Sequence, residues 1–179
     1  MEKLDLKQKA NIAKTGFTLI ELMTVMAIIF IMSILAVSNY HQGGSQVVLD
    51  VEANRFAQDL RRVQEWSMAA HQVAGVAKKG YGIYVSAVSG SYIVYTDNNG
   101  NGIYDAPSEL YETVVLDKKV EISSCTPNPA SVDFMVTSPV TKINGGDATT
   151  VQKVQIWLKN NHNMKRTVTV NKAGLIYVE

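Results

Sequence analysis

The stretch Lys14-Thr-Gly-Phe17-Thr-Leu-Ile-Glu21-Leu-Met opens an almost unbroken apolar run that ends near Val37. At about 20 residues, the run has the length an α-helix needs to cross the hydrocarbon core of a bilayer. A single charge, Glu21, lies inside it, close to its start. An acidic side chain at the bilayer centre costs roughly 2.5–3.5 kcal/mol or more, so a carboxylate retained in such a run is a candidate functional residue. Any fold for this chain has to give that segment an apolar environment.

Charge orients the segment. Lys3, Lys7, Lys9 and Lys14 precede the run, against Glu2 and Asp5, and no Lys or Arg follows it until Arg55. The positive-inside bias therefore predicts a cytoplasmic N-terminus and an exported C-terminal part. A conventional secretory signal is cut after its apolar core, at small residues. Here the run ends Ala36-Val37-Ser38-Asn39-Tyr40, an imperfect match. A cut between Gly16 and Phe17 would remove the leader alone and leave the apolar segment on the mature protein. An uncleaved signal anchor is the remaining alternative.

A short basic leader, a glycine and Phe-Thr-Leu-Ile-Glu together resemble the type III signal of type IV pilins and type II secretion pseudopilins. The resemblance is specific over residues 14–40 and weaker beyond. It implies cleavage after Gly16 by a prepilin peptidase, N-methylation of Phe17, and an assembly role for Glu21, which matches the family's glutamate. It further implies a single-pass subunit of the inner membrane that ends in a periplasmic or cell-surface filament. The partners it implies are other pilin or pseudopilin subunits, a platform protein and an assembly ATPase. Cutting at Gly16 would place the Phe17 α-amine one helical turn from Glu21, in the same subunit or a neighbour. A free α-amine carries a proton at neutral pH, and removing one partner of a buried pair costs roughly 3–5 kcal/mol. The chain departs from many members in lacking a mid-run glycine and a proline near the end, where it reads Ile29-Phe30-Ile31 and Val37-Ser38-Asn39. Less kinking is expected as a result, with Ser38-Asn39 and Gly43-Gly44 as the weak points.

Beyond the run, Leu49, Ala53, Phe56, Leu60, Val63 and Ala70 recur at helical spacing and fall on one face. The charged residues from Asp50 to Glu65 fall largely elsewhere. Such a stripe needs a partner surface, most simply the chain's own sheet, and the helix is expected to end near His71 to Gly75. From Tyr81 the period changes to two. Strands are predicted at 81–85, 92–96, 113–116, 120–123, 132–137, 151–158, 167–170 and 175–178, separated by Gly, Pro and Asn. The class is α+β, a long N-terminal helix packed on an antiparallel sheet or sandwich. A helix followed by hairpins resembles the GspH/FimT group of minor pilins and pseudopilins. The parts are a leader (1–16), a transmembrane and assembly helix (17–40), an amphipathic helix half (41–75) and a β-rich domain (76–179).

The loop Asp97-Asn-Asn99-Gly-Asn101-Gly102-Ile-Tyr-Asp105 repeats the first nine positions of a calcium loop. Asp97, Asn99, Asn101 and Asp105 are the candidate ligands for Ca²⁺. Position twelve is Ser108, however, with Glu109 one residue later, and a turn built from Asn and Gly is the competing reading. Near the C-terminus Lys159, Lys165 and Arg166 lie in a segment without acidic residues between Asp147 and Glu179. They are the candidate DNA contacts should the chain be a binding module displayed on a filament. A solvated face is the better reading of so sparse a patch.

Net charge is +1 over 179 residues. It implies neither a nucleic-acid nor an acidic partner, and the residues after the run suffice for one domain. Cys125 is the sole cysteine, which excludes an internal disulfide and reads as a small buried hydrophobe. His41, His71 and His162 are scattered, and no nucleophile elbow, phosphate loop or paired carboxylate motif points to an enzyme. The fold class expected is that of a structural subunit.

Overall fold

Thr18 decides where the helix begins. In the computed structural model, the Glu21 N–H donates to Thr18 Oγ1 at 3.3 Å and the Leu22 N–H to the Thr18 carbonyl at 3.2 Å. Threonine is here the N-cap of α1 (Leu19–Met68), a helix of 50 residues. The structure describes residues 16–136, 141–147 and 151–179, with the backbone alone at 37–43 and 147. The leader lysines and Thr137, the end of one expected strand, lie outside the described residues. Helical backbone continues through Ser38-Asn39 and Gly43-Gly44, consistent with the missing proline. The chain divides into two units, Met1–His41 and Gln42–Glu179.

In the first unit, the segment Leu19–Ala36 has a mean hydropathy of 2.5 and none of it is buried. A core helix of a soluble domain would be equally apolar but covered. Here Phe30 and Met26 stand out at 68% and 63% exposure. The helix is therefore a candidate membrane span whose apolar surface is left open all round.

In the second unit the helix carries the expected stripe. Leu49, Ala53, Phe56, Leu60 and Val63 are buried, joined by Ala57 and Ser67. Ala70 departs from the stripe because it lies beyond the helix end and is exposed. The helix stops earlier than expected, at Met68. Ala70 takes a positive φ of 47°, its N–H bonds the Ser67 carbonyl, and the His71 N–H bonds the Trp66 carbonyl. That pair of bonds is a Schellman closure made without glycine.

The strands follow as β1 (Gln72–Val73), β2 (Val76–Ala77), β3 (Gly80–Val85), β4 (Ser91–Asp97), β5 (Leu110–Val115), β6 (Val120–Thr126), β7 (Ala130–Met135), β8 (Thr141–Ile143), β9 (Gly146–Asp147), β10 (Gln152–Leu158), β11 (Asn161–Val170) and β12 (Ile176–Val178). The expected strands are all present with shifted ends. The small β1–β2 ribbon occupies sequence read as helix end, and β8 and β9 were not expected. A six-stranded sheet runs β5-β4-β3-β7-β8-β9 and a four-stranded sheet β12-β11-β10-β6, and every pairing is antiparallel. One core joins them to the helix: Phe56 and Leu60 pack with Ile83, Tyr92, Val94, Ile122, Ile156 and Val168. A polar latch fastens the same face. Tyr92 donates its hydroxyl to Asp59 Oδ2, and Arg62 reaches Asp59 at 3.3 Å and Glu112 at 3.0 Å. Arg62 also lies over the Trp66 ring, 5.1 Å from its centre. Cys125 is buried as expected, and burial pushes its thiol pKa up.

Candidate functional site

The loop between β4 and β5 is built around two carboxylates that the sequence order hides. Asp97 is fully buried and accepts the Gly100 N–H through Oδ1 and the Gly102 N–H through Oδ2, the latter at 2.7 Å. Glu109 is buried too, and accepts the Asn98 and Asp105 N–H groups at 2.8 and 3.0 Å. Asn99 and Asn101 turn their carbonyls on the N–H groups two residues ahead and their amides on Asp105 Oδ2. Lys79 and Lys142 set their ammonium groups on the carbonyls of Asn99 and Gly100. Asp97, Asn99, Asn101 and Asp105 are thus brought together, but against N–H donors. Glu109, the residue that could close a calcium cage, is committed to the backbone. Among the described residues no group of three or more Asp, Glu, His or Cys is placed to hold a metal ion. As folded, these side chains serve the loop's own hydrogen bonds.

Beneath this loop lies a residue that the sequence reading passed over. Gly80 and Gly82 of β3 leave room for side chains from their neighbours. A Cβ on Gly82 would sit 2.5 Å from the Tyr95 ring, and one on Gly80 would sit 2.5 Å from Asp133 Oδ1. Tyr95 and Asp133 fill that space, and Tyr104 from the loop packs on Tyr84 and Tyr95. Asp133 is fully buried, and no hydrogen bond of normal geometry reaches its oxygens or the Tyr95 hydroxyl. Burial, with the Asp97 charge second, pushes its pKa up to about 8, against weaker pulls from Tyr95 and Lys142. A lone acid inside Ala-Ser-Val-Asp-Phe-Met was the signal that could have pointed to it.

The sign of the resulting pH dependence is fixed. The folded state holds the Asp133 proton up to about pH 8, whereas the unfolded chain releases it near 3.8. The Asp133 contribution to stability is therefore greatest below the lower value and falls as pH rises through that window, by up to about 1.4 kcal/mol per unit. Asp133→Asn should flatten this dependence. Its melting temperature is expected to match wild type near pH 4 and exceed it at pH 8, and parallel profiles would show that Asp133 does not titrate in the window.

The basic candidates do not converge. Arg166 pairs with Asp50 of the helix at 2.7 Å, while Lys159 lies 4.0 Å from Glu121. Lys165 and Arg166 are successive residues of β11 and leave by opposite faces of the sheet. Lys165 shares a row with Trp157 and Glu121, and the Trp157 indole N–H donates to Glu121. His162 stacks on Trp157, ring centres 4.1 Å apart.

At the other end of the chain, Gly16, Phe17 and Thr18 lie outside the helix and are exposed, so the Gly16–Phe17 bond stands free of helical hydrogen bonding. Glu21 falls in the first turn of α1, where a negative charge suits the exposed N–H groups of the helix end. Its carbonyl accepts the Thr24 hydroxyl at 2.9 Å. Residues 13–37 match the family model described as the prokaryotic N-terminal methylation motif. The chain carries a type IV pilin-type signal.

That signal accounts for the open apolar helix, which needs no cover within its own chain. Proteins of the type IV pilin-like family are structural subunits rather than enzymes, and the motif supports a pilin-like or pseudopilin subunit here. From Leu19 onward the residues matched by the methylation motif run along α1 and coincide with the candidate span. No curated protein and no solved structure matches the chain.

Proposed function

We propose that the protein is a structural, minor subunit of a type IV pilus or a type II secretion pseudopilus. The observation that carries this is the methylation motif leading into a 50-residue helix whose segment Leu19–Ala36 has no buried residue. The precursor inserts with its N-terminus in the cytoplasm. A prepilin peptidase cuts after Gly16 and methylates Phe17. The mature subunit stays in the inner membrane until the platform protein and its ATPase move it into the filament. There the first half of the helix joins the helices of other subunits, and the sheet domain faces outward. Glu21 pairs with the Phe17 amine in the apolar filament core. The helix followed by antiparallel sheets supports a place near the GspH/FimT group, which favours a minor subunit. The assembly scheme has no step that needs a metal ion.

The alternative, a filament-displayed DNA-binding module, gains no support from the geometry, since two of its three cations already face carboxylates. Processing is tested by Gly16→Val in cells that hold the peptidase. The expected product is a membrane-bound precursor of full length. Normal processing of this variant would remove the peptidase assignment.

A further inference from the structure

The chain contains three Asn-Gly pairs, Asn99-Gly100, Asn101-Gly102 and Asn144-Gly145. Such pairs are prone to spontaneous deamidation, because a glycine has no side chain to keep its backbone nitrogen away from the preceding side-chain amide. The nitrogen loses its proton and attacks the Asn Cγ. A new N–C bond closes a succinimide ring, and the side-chain nitrogen leaves as ammonia. Water then opens the ring at either carbonyl to give aspartate or isoaspartate, with no change of oxidation state. All three asparagines are exposed, so water reaches each of them.

In this fold all three glycine nitrogens are held elsewhere. Gly100 and Gly102 donate to the two oxygens of Asp97, and Gly145 donates to the Gly102 carbonyl at 3.0 Å. The side chains are held as well. Asn99 and Asn101 are fixed at both ends between backbone N–H groups and Asp105. Asn144 accepts the Ser131 N–H and donates to the Pro129 carbonyl. Forming the ring at any of these sites requires releasing the glycine N–H and swinging the amide round. For Asn99 and Asn101 both nitrogens must leave one carboxylate.

We propose that Asp97 is a gate on two deamidation sites. While its carboxylate holds Gly100 and Gly102, Asn99 and Asn101 persist as asparagine, and they convert only when the loop opens. Conversion would place new negative charge beside Asp97 and Asp105 and remove the amides that bond Asp105, so each opening event that reacts leaves a permanent mark. The Asn144 side chain is held outside this loop, by Ser131 and Pro129, and the Gly145 N–H rests on a carbonyl and not on Asp97, so this site serves as the internal comparison.

The test incubates the full-length protein in detergent at mildly alkaline pH, folded or unfolded in urea. Conversion is followed at each site by peptide mass spectrometry and by isoaspartate-specific enzymatic methylation. In the folded protein Asn99 and Asn101 should convert at least roughly tenfold more slowly than in urea, the factor that local opening at about 1.4 kcal/mol supplies. Asp97→Asn, folded, should accelerate Asn99 and Asn101 towards the urea rate and leave Asn144 slow. Equal rates for the folded and unfolded wild type would overturn the proposal. So would a variant in which both loop sites stay slow, or in which Asn144 accelerates equally.

Discussion

Glu21→Val is expected to leave cleavage at Gly16 intact and to reduce incorporation into filaments by roughly a hundredfold or more. Two effects act in the same direction. In the membrane, removing the carboxylate relieves a cost, because charge in an apolar run is unfavourable by up to roughly 2.5–3.5 kcal/mol. In the filament core proposed above, removing it would strand the Phe17 ammonium, at roughly 3–5 kcal/mol. The variant thus gains in the state before assembly and loses in the state after it. The local helix should survive, since Thr18 caps the Glu21 backbone N–H and not its carboxylate. Processed, membrane-held subunit absent from sheared filaments is the expected result, read by immunoblot of both fractions. Filament incorporation at the wild-type level would remove Glu21 from the assembly scheme.

The largest expected effect on stability is that of Phe56→Ala. Phe56 is buried on the helix face and meets Tyr92 edge to face, ring centres 4.9 Å apart. It joins the helix to both sheets through one core. Truncating a buried Phe typically costs 3–5 kcal/mol, set by how far the surroundings close the cavity. The Tyr92–Asp59 bond and the Arg62 pairs border this site and limit that closure. Since a domain of this size has roughly 5–15 kcal/mol in total, the loss is a large share. Thermal melting of the full chain in detergent should show the drop. Val51→Ala, on the exposed face of the same helix, should change little. Similar melting of the Phe56 variant and wild type would mean that the helix is not held to the sheets through this contact.

What the sequence made legible was local. The apolar run, the stripe from Leu49 to Val63 and the alternating strands each follow from spacing along one element. The early end of the helix was not legible, because the closing residue is Ala70, whose side chain gives no warning of a positive φ. The β1–β2 ribbon is two residues a side, too short for any periodicity to register. β8 has three residues and gains its place from pairing with β7 and β9. The loop illustrates the same limit. Its oxygen-bearing pattern was visible, but the use of Glu109 by the backbone, and of Lys79 and Lys142 on the loop carbonyls, depends on residues brought in by the fold. Asp133 is the clearest case. Its burial follows from Gly80 and Gly82 on a strand fifty residues earlier (roughly) and from the loop folded over them, and no window of sequence contains all three. The basic segment failed for a related reason, since the carboxylates that face Lys159 and Arg166 lie in β6 and α1.

The central claim is that the chain is cut before Phe17 and enters a filament through the helix that follows. The measurement that bears on it most directly is the intact mass and N-terminal sequence of the protein extracted from its native membranes. The account predicts a chain beginning at Phe17, carrying one methyl group on its α-amine, with Glu21 unmodified. A chain still carrying its leader, or one cut after the apolar run near Ala36 to Tyr40, would contradict it.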